Sequence, residues 1–354
     1  MSTIGILGYY GAGNLGDELL LRSTLEMLSS LGSFKIFVFS EKPAETKIFF
    51  PDCKAIDKFK PTALISALME CEALIVGGGS IFQDVSSFRS LLYYVSVCLL
   101  ACLLGKKLIL LGQGVGPLNS TISRWLTRIV YQLAHSVSVR DLESFDLVKD
   151  WNAQIKFSGD LAWTLPNVKT LSEEELKTKK QKSLVVSLRT DKVSEKQVEC
   201  FARFLKENFA DYKINFLALQ RQDVEVLNEI AEKLDLAEVF AIYNYGGWKQ
   251  YGIKLFQEAD FCFAMRFHAL LLAIKSGTAA VGISYDPKVR ALCKEAHLPF
   301  IELKELNSES LLECLRTLRF PTIGELRQFS EHKAEVTRQV NCAMLKDLLD
   351  ALTE

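Results

Sequence analysis

Several residues able to bind an anion or move a proton stand where an apolar run gives way to helical spacing. Met265-Arg266-Phe267-His268-Ala269 follows the run Phe261–Ala264. Backbone N–H groups at such a strand-to-helix junction favour anions. Arg266 supplies a planar fork for carboxylate or phosphate oxygens, and His268 can shuttle a proton near neutral pH. Arg140-Asp141 ends a second run, Ser136–Val139, and Lys288 follows Gly282-Ile283-Ser284-Tyr285-Asp286-Pro287. Each has an ordinary alternative: Arg140 as a surface ion pair, His268 as a capping or core histidine, Lys288 as a solvated lysine at a helix start. Together they set three cations beside an imidazole on a chain with 42 basic and 43 acidic side chains. A small polyanion is the economical ligand. His135, His297 and His332 lack such settings and read as structural.

Glycine-rich segments stand at other strand ends. Gly11-Ala12-Gly13-Asn14-Leu15-Gly16 is a full G-x-G-x-x-G between a strand and a helix, the context of a dinucleotide site, with Glu41 as a ribose acid after the second strand. Asp17-Glu18 argues against that use. Two carboxylates in the first helical turn would repel a pyrophosphate and take the favourable dipole position themselves. A neutral polar ligand such as a sugar suits Asn14 and Asp17 better; a tight turn with an acidic cap is the structural alternative. Gly77-Gly78-Gly79-Ser80, followed by Gln83-Asp84, and Gly112-Gln113-Gly114-Val115-Gly116-Pro117 are expected as further loops opening on the same sheet edge.

The elements that must position these residues alternate along the chain. Strands are expected at Thr3–Tyr9, Phe34–Phe39, Ala73–Val76, Lys107–Leu111 and Ser136–Val139, with helices between them. Continuous apolar strands suit a parallel sheet covered on both faces. The polar segment 166–182 reads as a linker containing a capped helical turn. The alternation then resumes from Leu184–Leu188 to Phe300–Ile301. The expectation is an α/β protein of two Rossmann-like, doubly wound domains, 1–165 and 183–324, with a C-terminal helix over 325–354. Ligands should bind in a cleft between them, at strand C-termini.

Composition excludes several classes. With 354 residues, 49% hydrophobic and 24% charged, the chain has material for two cores. A net charge of −1 gives no global field for nucleic acid. Nine scattered cysteines with no C-x-x-C pair fit neither a disulfide framework nor a zinc site, so a reducing cytoplasm is expected. No clustered ligands suggest a metal. Leu91–Leu104, the most apolar stretch, is short of the ~20 residues a spanning helix needs. It reads as a buried helix, with a helix touching a membrane or a partner as the alternative.

Gly8-Tyr9-Tyr10-Gly11-Ala12-Gly13-Asn14-Leu15-Gly16-Asp17-Glu18 resembles the opening of the polysaccharide pyruvyl transferase family, in particular its CsaB type. Ser138-Val139-Arg140-Asp141, the two later glycine segments, Met265 to Ala269 and Gly282 to Val289 continue the resemblance in the family's order. Phe267 departs from the family's usual Leu. The resemblance implies a GT-B-like fold and transfer of a pyruvyl group from phosphoenolpyruvate to a sugar. The implied acceptor is N-acetylmannosamine of a lipid-linked cell-wall polymer precursor, and the products are a cyclic ketal and phosphate. It assigns His268, Arg140 and Lys288 to catalysis. Arg266 stands beside them; the charge of phosphoenolpyruvate independently asks for Arg140, Arg266 and Lys288, with Ser284 and Tyr285 as further donor-binding residues, and Asn14, Asp17, Gln83 and Asp84 are the candidates for acceptor contacts. No metal or cofactor is expected beyond phosphoenolpyruvate as substrate, and no nucleic-acid partner. A lipid-linked acceptor would bring the enzyme to the inner face of the membrane, with peripheral contact. The alternative is a nucleotide-sugar glycosyltransferase of the same architecture; a non-catalytic sugar- or partner-binding relative is a third.

Overall fold

The computed structural model of the protein describes residues 2–152, 154–167, 179, 181–189, 191–232, 234, 237–242, 244–317 and 319–353. It divides into two compact units, Met1–Leu165 with Lys333–Glu354, and Pro166–His332. Most of the expected linker and its capped turn lies outside the described residues.

The first unit is built on β1 (Thr3–Tyr10), β2 (Lys35–Ser40), β3 (Lys54–Asp57), β4 (Ala73–Val76), β5 (Gly79–Phe82), β6 (Lys107–Val115), β7 (Ser136–Val139) and β8 (Ile155–Phe157). All pair in parallel in the order β3-β2-β1-β4-β6-β7-β8, with β5 alongside β6. Helices α1 (Leu15–Leu31), α2 (Pro43–Phe49), α3 (Pro61–Glu70), α4 (Phe88–Leu103), α5 (Thr121–Leu133) and α6 (Leu142–Val148) make the crossovers. The apolar runs of β1 and β4, and the Ser-Val-Ser-Val of β7, are buried because both sheet faces are covered. Asn14, Ser87 and Ser120 start α1, α4 and α5 by accepting from first-turn amides.

The second unit repeats the plan with β9 (Lys182–Ser187), β10 (Tyr212–Ala218), β11 (Ala237–Ala241), β12 (Phe261–Ala264), β13 (Ala279–Ser284) and β14 (Phe300–Glu302). The all-parallel order β11-β10-β9-β12-β13-β14 is that of a dinucleotide-binding Rossmann domain. Its helices include α7 (Glu195–Asn208), α8 (Val224–Glu232), α9 (Ile253–Glu258), α10 (Phe267–Ser276), α11 (Pro287–Glu295) and α12 (Ser308–Thr317). Phe201, Phe204, Phe209 and Phe261 each meet Phe263 edge to face in its core. The last helix, α13 (Ile323–Thr353), begins in this unit and ends in the first. There Ser138 donates to Asn341 at 2.6 Å.

Two expectations need correction. The third glycine segment is not a strand-end loop: β6 continues to Val115, with an irregularity in its pairing to β7 between Leu110 and Gln113. The buried Gln113 side chain donates to the carbonyls of Val76, Gly77 and Leu111, which ties this irregular stretch to β4. The 91–104 stretch is not wholly buried either. Leu91, Tyr94, Val95 and Cys98 face the core, while Leu92 and Leu103 are exposed. Among the described residues, no helix is long and apolar enough to cross a membrane.

Candidate active site

In a doubly wound sheet, ligands bind where the strand order reverses. In the first unit that point lies between β1 and β4, and in the second between β9 and β12. Asn14 and Asp17 follow β1, and Arg266 and His268 follow β12, at these two points; Gln83 and Asp84 follow β5, Arg140 follows β7, and Ser284 to Lys288 lie at the end of β13.

In the first unit, Asn14 caps α1 and donates through Nδ2 to Asp17 Oδ2 at 2.5 Å. Asp17 and Glu18 are both buried. Glu18 turns back and accepts from the Gly11 amide at 2.8 Å. That amide is one a phosphate would have used in a dinucleotide site, so a carboxylate already fills the role. Burial pushes the Glu18 carboxyl up to about 7; the Gly11 amide opposes the rise and the charge of Asp17 adds to it. The sequence placed Glu18 beside Asp17 but gave no sign that Glu18 latches the glycine loop.

The glycines of the later segments make room for side chains. A Cβ on Gly77 would lie 2.1 Å from the Tyr10 hydroxyl, and one on Gly112 would lie 2.7 Å from Leu161. A Cβ on Gly114 would lie 2.5 Å from Ser80 Oγ and 2.7 Å from Arg140 Nε. Their small size therefore serves close packing within the unit, where the sequence suggested an approach to ligand.

Arg140, just past β7, is nearly enclosed. It donates through Nη1 to Asp160 at 3.0 Å and through Nη2 to Ser80 at 2.7 Å, and Nε lies 3.5 Å from Asp141. Two carboxylates thus offset its charge and fix its plane. Gln83 and Asp84 behave differently from Asn14 and Asp17. Gln83 folds back on Ser86, and Asp84 accepts from the amides of Asn119 and Ser120 at 2.9 Å, bracing the start of α5. At the end of β3, buried Lys58 lies 5.1 Å from the Tyr9 ring and 3.7 Å from Glu41. Burial holds its ammonium below the ordinary lysine value. The sequence reading passed over it.

In the second unit, Arg266 is buried and bound through Nε and Nη2 by Asp223, a residue with no exposed surface. This pairing orients the residue that caps α10. Arg266 makes no capping bond with its own side chain, whereas Asn14, Ser87, Ser120, Ser194 and Asp286 cap α1, α4, α5, α7 and α11 with theirs. His268 lies in that turn, half-buried, its ring edge-on to Phe267 at 5.4 Å. Gly277 ends α10 in a left-handed conformation against Ile323. Asp286 accepts from the Lys288 amide at 2.9 Å and so starts α11, on which Lys288 is partly exposed. Ser284 is buried at the end of β13.

Arg189, which the sequence reading did not single out, follows β9. Its guanidinium lies 5.1 Å from the Tyr285 ring, donates to the Tyr285 hydroxyl at 3.1 Å and pairs with Asp191. Its amide donates to Met265 Sδ at 3.2 Å, beside the β12 junction. Its place after a strand was the available signal. Among the described residues, no group of three or more His, Cys, Asp or Glu is arranged to hold a metal ion.

Two all-parallel, Rossmann-like sheet units in one chain are the plan of a GT-B-type fold. Solved structures show the same fold. The S. aureus MnaA–UDP structure aligns with TM-score 0.64 at 12% identity, covering 100% of this chain and 98% of that one. The UDP-GlcNAc 2-epimerase from Neisseria meningitidis bound to UDP-GlcNAc aligns with TM-score 0.60 at 10% identity, over 99% and 100%. MurG of Acinetobacter baumannii aligns with TM-score 0.56 at 12% identity, over 99% and 100%. At such identities the likeness concerns the fold alone. No curated protein sequence matches the chain. The family model for polysaccharide pyruvyl transferase matches residues 14–287, and the chain belongs to that family. It is an enzyme of the class that transfers pyruvyl groups.

Proposed function

We propose that the enzyme transfers the pyruvyl group of phosphoenolpyruvate to two hydroxyls of one sugar, forming a cyclic ketal and releasing phosphate. The proposed acceptor is N-acetylmannosamine in a lipid-linked cell-wall precursor. The observation that carries the donor assignment is the start of α10, a helix of ten residues that follows β12 directly, whose N-cap Arg266 turns its side chain to Asp223 rather than onto the first turn, and which holds His268 in that turn. Amides and helix dipole suit a phosphate or a carboxylate there. Arg189, Tyr285 and Lys288 stand at neighbouring strand ends and suit the remaining charge. Arg266 acts through Asp223 as a positioning residue, and Arg140 positions Ser80 and Asp160 in the first unit.

The chemistry balances without a cofactor. One sugar hydroxyl adds to the enol carbon while the methylene carbon gains a proton from His268 and becomes methyl. The C–O bond to phosphate then breaks, and the second hydroxyl adds to the same carbon. The two hydroxyl protons replace the proton lost by His268 and leave with phosphate. Asn14 and Asp17 orient the acceptor hydroxyls.

Mass spectrometry of a lipid-linked N-acetylmannosamine acceptor after incubation with phosphoenolpyruvate tests the proposal. The expected product gains one pyruvate less one water, with one phosphate released. Thermal stabilisation by a UDP-sugar, with none by phosphoenolpyruvate, would favour the glycosyltransferase alternative and overturn the donor assignment.

A further inference from the structure

Helices α4 and α5 present an outward face that does not read as an ordinary solvated surface. A surface helix normally turns charged or polar residues to water. On α4 the outward positions include Phe88, 43% exposed, Leu92 and Leu103, 85% exposed. On the neighbouring α5 they include Ile122, Trp125, 61% exposed, and Leu133. The spacings 88, 92 and 103, and 122, 125 and 133, keep each set on one side of its helix. Between the two helix starts lies a groove of about 520 Å³, with Phe88 and Ile122 in its walls. Single exposed apolar residues are common, but a contiguous patch marks a contact surface.

Charge decides the kind of contact. From Val85 to Arg140 the chain contains no aspartate or glutamate, although the whole chain has one more acidic than basic side chain. The same stretch contains Arg89, Arg124 and Arg128, all exposed and interleaved with the apolar positions of the two helices. The acid preceding it, Asp84, has its carboxylate engaged by the amides at the start of α5. Apolar side chains with a tryptophan, set among arginines with no counter-charge in the segment, have the chemistry of an interfacial helix on an anionic bilayer.

We infer that the α4–α5 face docks the enzyme on the surface of an anionic lipid membrane, with Phe88, Ile122 and Trp125 entering the headgroup boundary and the three arginines meeting lipid phosphates. The inference rests on the surface alone. With the proposed acceptor, it would bring the first unit to the place where a lipid-linked sugar is held.

Vesicle co-sedimentation tests it on the full chain without phosphoenolpyruvate or acceptor, so failure here leaves the transferase reading untouched. The probes are vesicles of phosphatidylcholine alone and of phosphatidylcholine with about one third phosphatidylglycerol. The wild type is expected to sediment with the anionic vesicles only, less so at high salt, with a blue shift of tryptophan emission. Arg124→Gln/Arg128→Gln should weaken partitioning by on the order of tenfold and flatten its salt dependence. Ile122→Ser/Trp125→Ser should weaken partitioning at least as much and remove the blue shift, with unfolding temperature unchanged. Wild-type protein that stays in the supernatant, or variants that bind as it does, would overturn the inference. So would an Ile122→Ser/Trp125→Ser variant that only turns a dimer into a monomer, because the face would then belong to a second copy.

Discussion

Arg266 donates to both oxygens of Asp223, through Nη2 to Oδ1 at 2.5 Å and through Nε to Oδ2 at 3.0 Å. Both side chains are buried, so each charge depends on the other. The pair joins the start of α10 to the turn before α8, two segments 43 residues apart. It also explains why an arginine can precede α10 without competing for an anion at that helix. Its Nε/Nη2 edge is taken by Asp223.

Asp223→Ala should therefore cost about 3–5 kcal/mol of stability, because it leaves the guanidinium buried without a counter-charge. Denaturant unfolding measures this. Arg266→Lys should be nearly as damaging, since an ammonium cannot reproduce the two-pronged contact. An Asp223→Ala protein as stable as the wild type would show that the pair is not structural.

Gly114→Ala addresses the first unit in the same way. Its Cβ would meet Arg140 Nε at 2.7 Å and Ser80 Oγ at 2.5 Å, distances that real side chains do not tolerate. The guanidinium must shift from Ser80 and Asp160. The expected cost is about 1–3 kcal/mol of stability, with a fall in kcat/KM of tenfold or more. Unchanged kinetics and stability would show that the orientation of Arg140 is unimportant.

Wholly apolar central strands were legible in the sequence because burial on both faces leaves a continuous signature. Ala73–Val76 and Phe261–Ala264 have the expected ends. Short edge strands were not. Lys54–Asp57 and Ile155–Phe157 carry too few apolar residues to show a period, and Gly79–Phe82 hides behind glycines that read as a loop. At the site, Arg140, Arg266 and His268 could be found because each follows a strand. Their environments could not. Asp160 and Asp223 lie 20 and 43 residues from the arginines they bind, and no local pattern marks them. Gly77 and Gly114 were legible as glycines, but which side chain needed the space is a tertiary fact.

Glu18 should make stability depend on pH. Burial raises its carboxyl from 4.5 to about 7 in the folded chain. Below pH 4.5 both states hold the proton and stability is highest. As pH rises toward 7, the unfolded chain releases the proton before the folded one does, and stability falls by on the order of 3 kcal/mol. Glu18→Gln keeps a carbonyl oxygen for the Gly11 amide and removes the titration. It should raise the unfolding temperature at pH 8 and reduce the decline between pH 4.5 and 7. If the two proteins have parallel stability profiles across that range, the Glu18 carboxyl does not titrate there.

His268→Ala tests the chemistry most directly. The imidazole occupies the first turn of α10, but the amides of that turn belong to the backbone and survive the substitution. Donor binding and proton delivery should therefore separate. Thermal stabilisation by phosphoenolpyruvate should persist within a few-fold of the wild type's affinity. Phosphate release and ketal formation should fall by about 10²-fold or more, the range for loss of a positioned general acid. Lys288→Ala should show the converse, a weaker response to phosphoenolpyruvate with a smaller loss of kcat. A fully active His268→Ala enzyme would remove the imidazole from the reaction and leave the α10 amides as an anion site only.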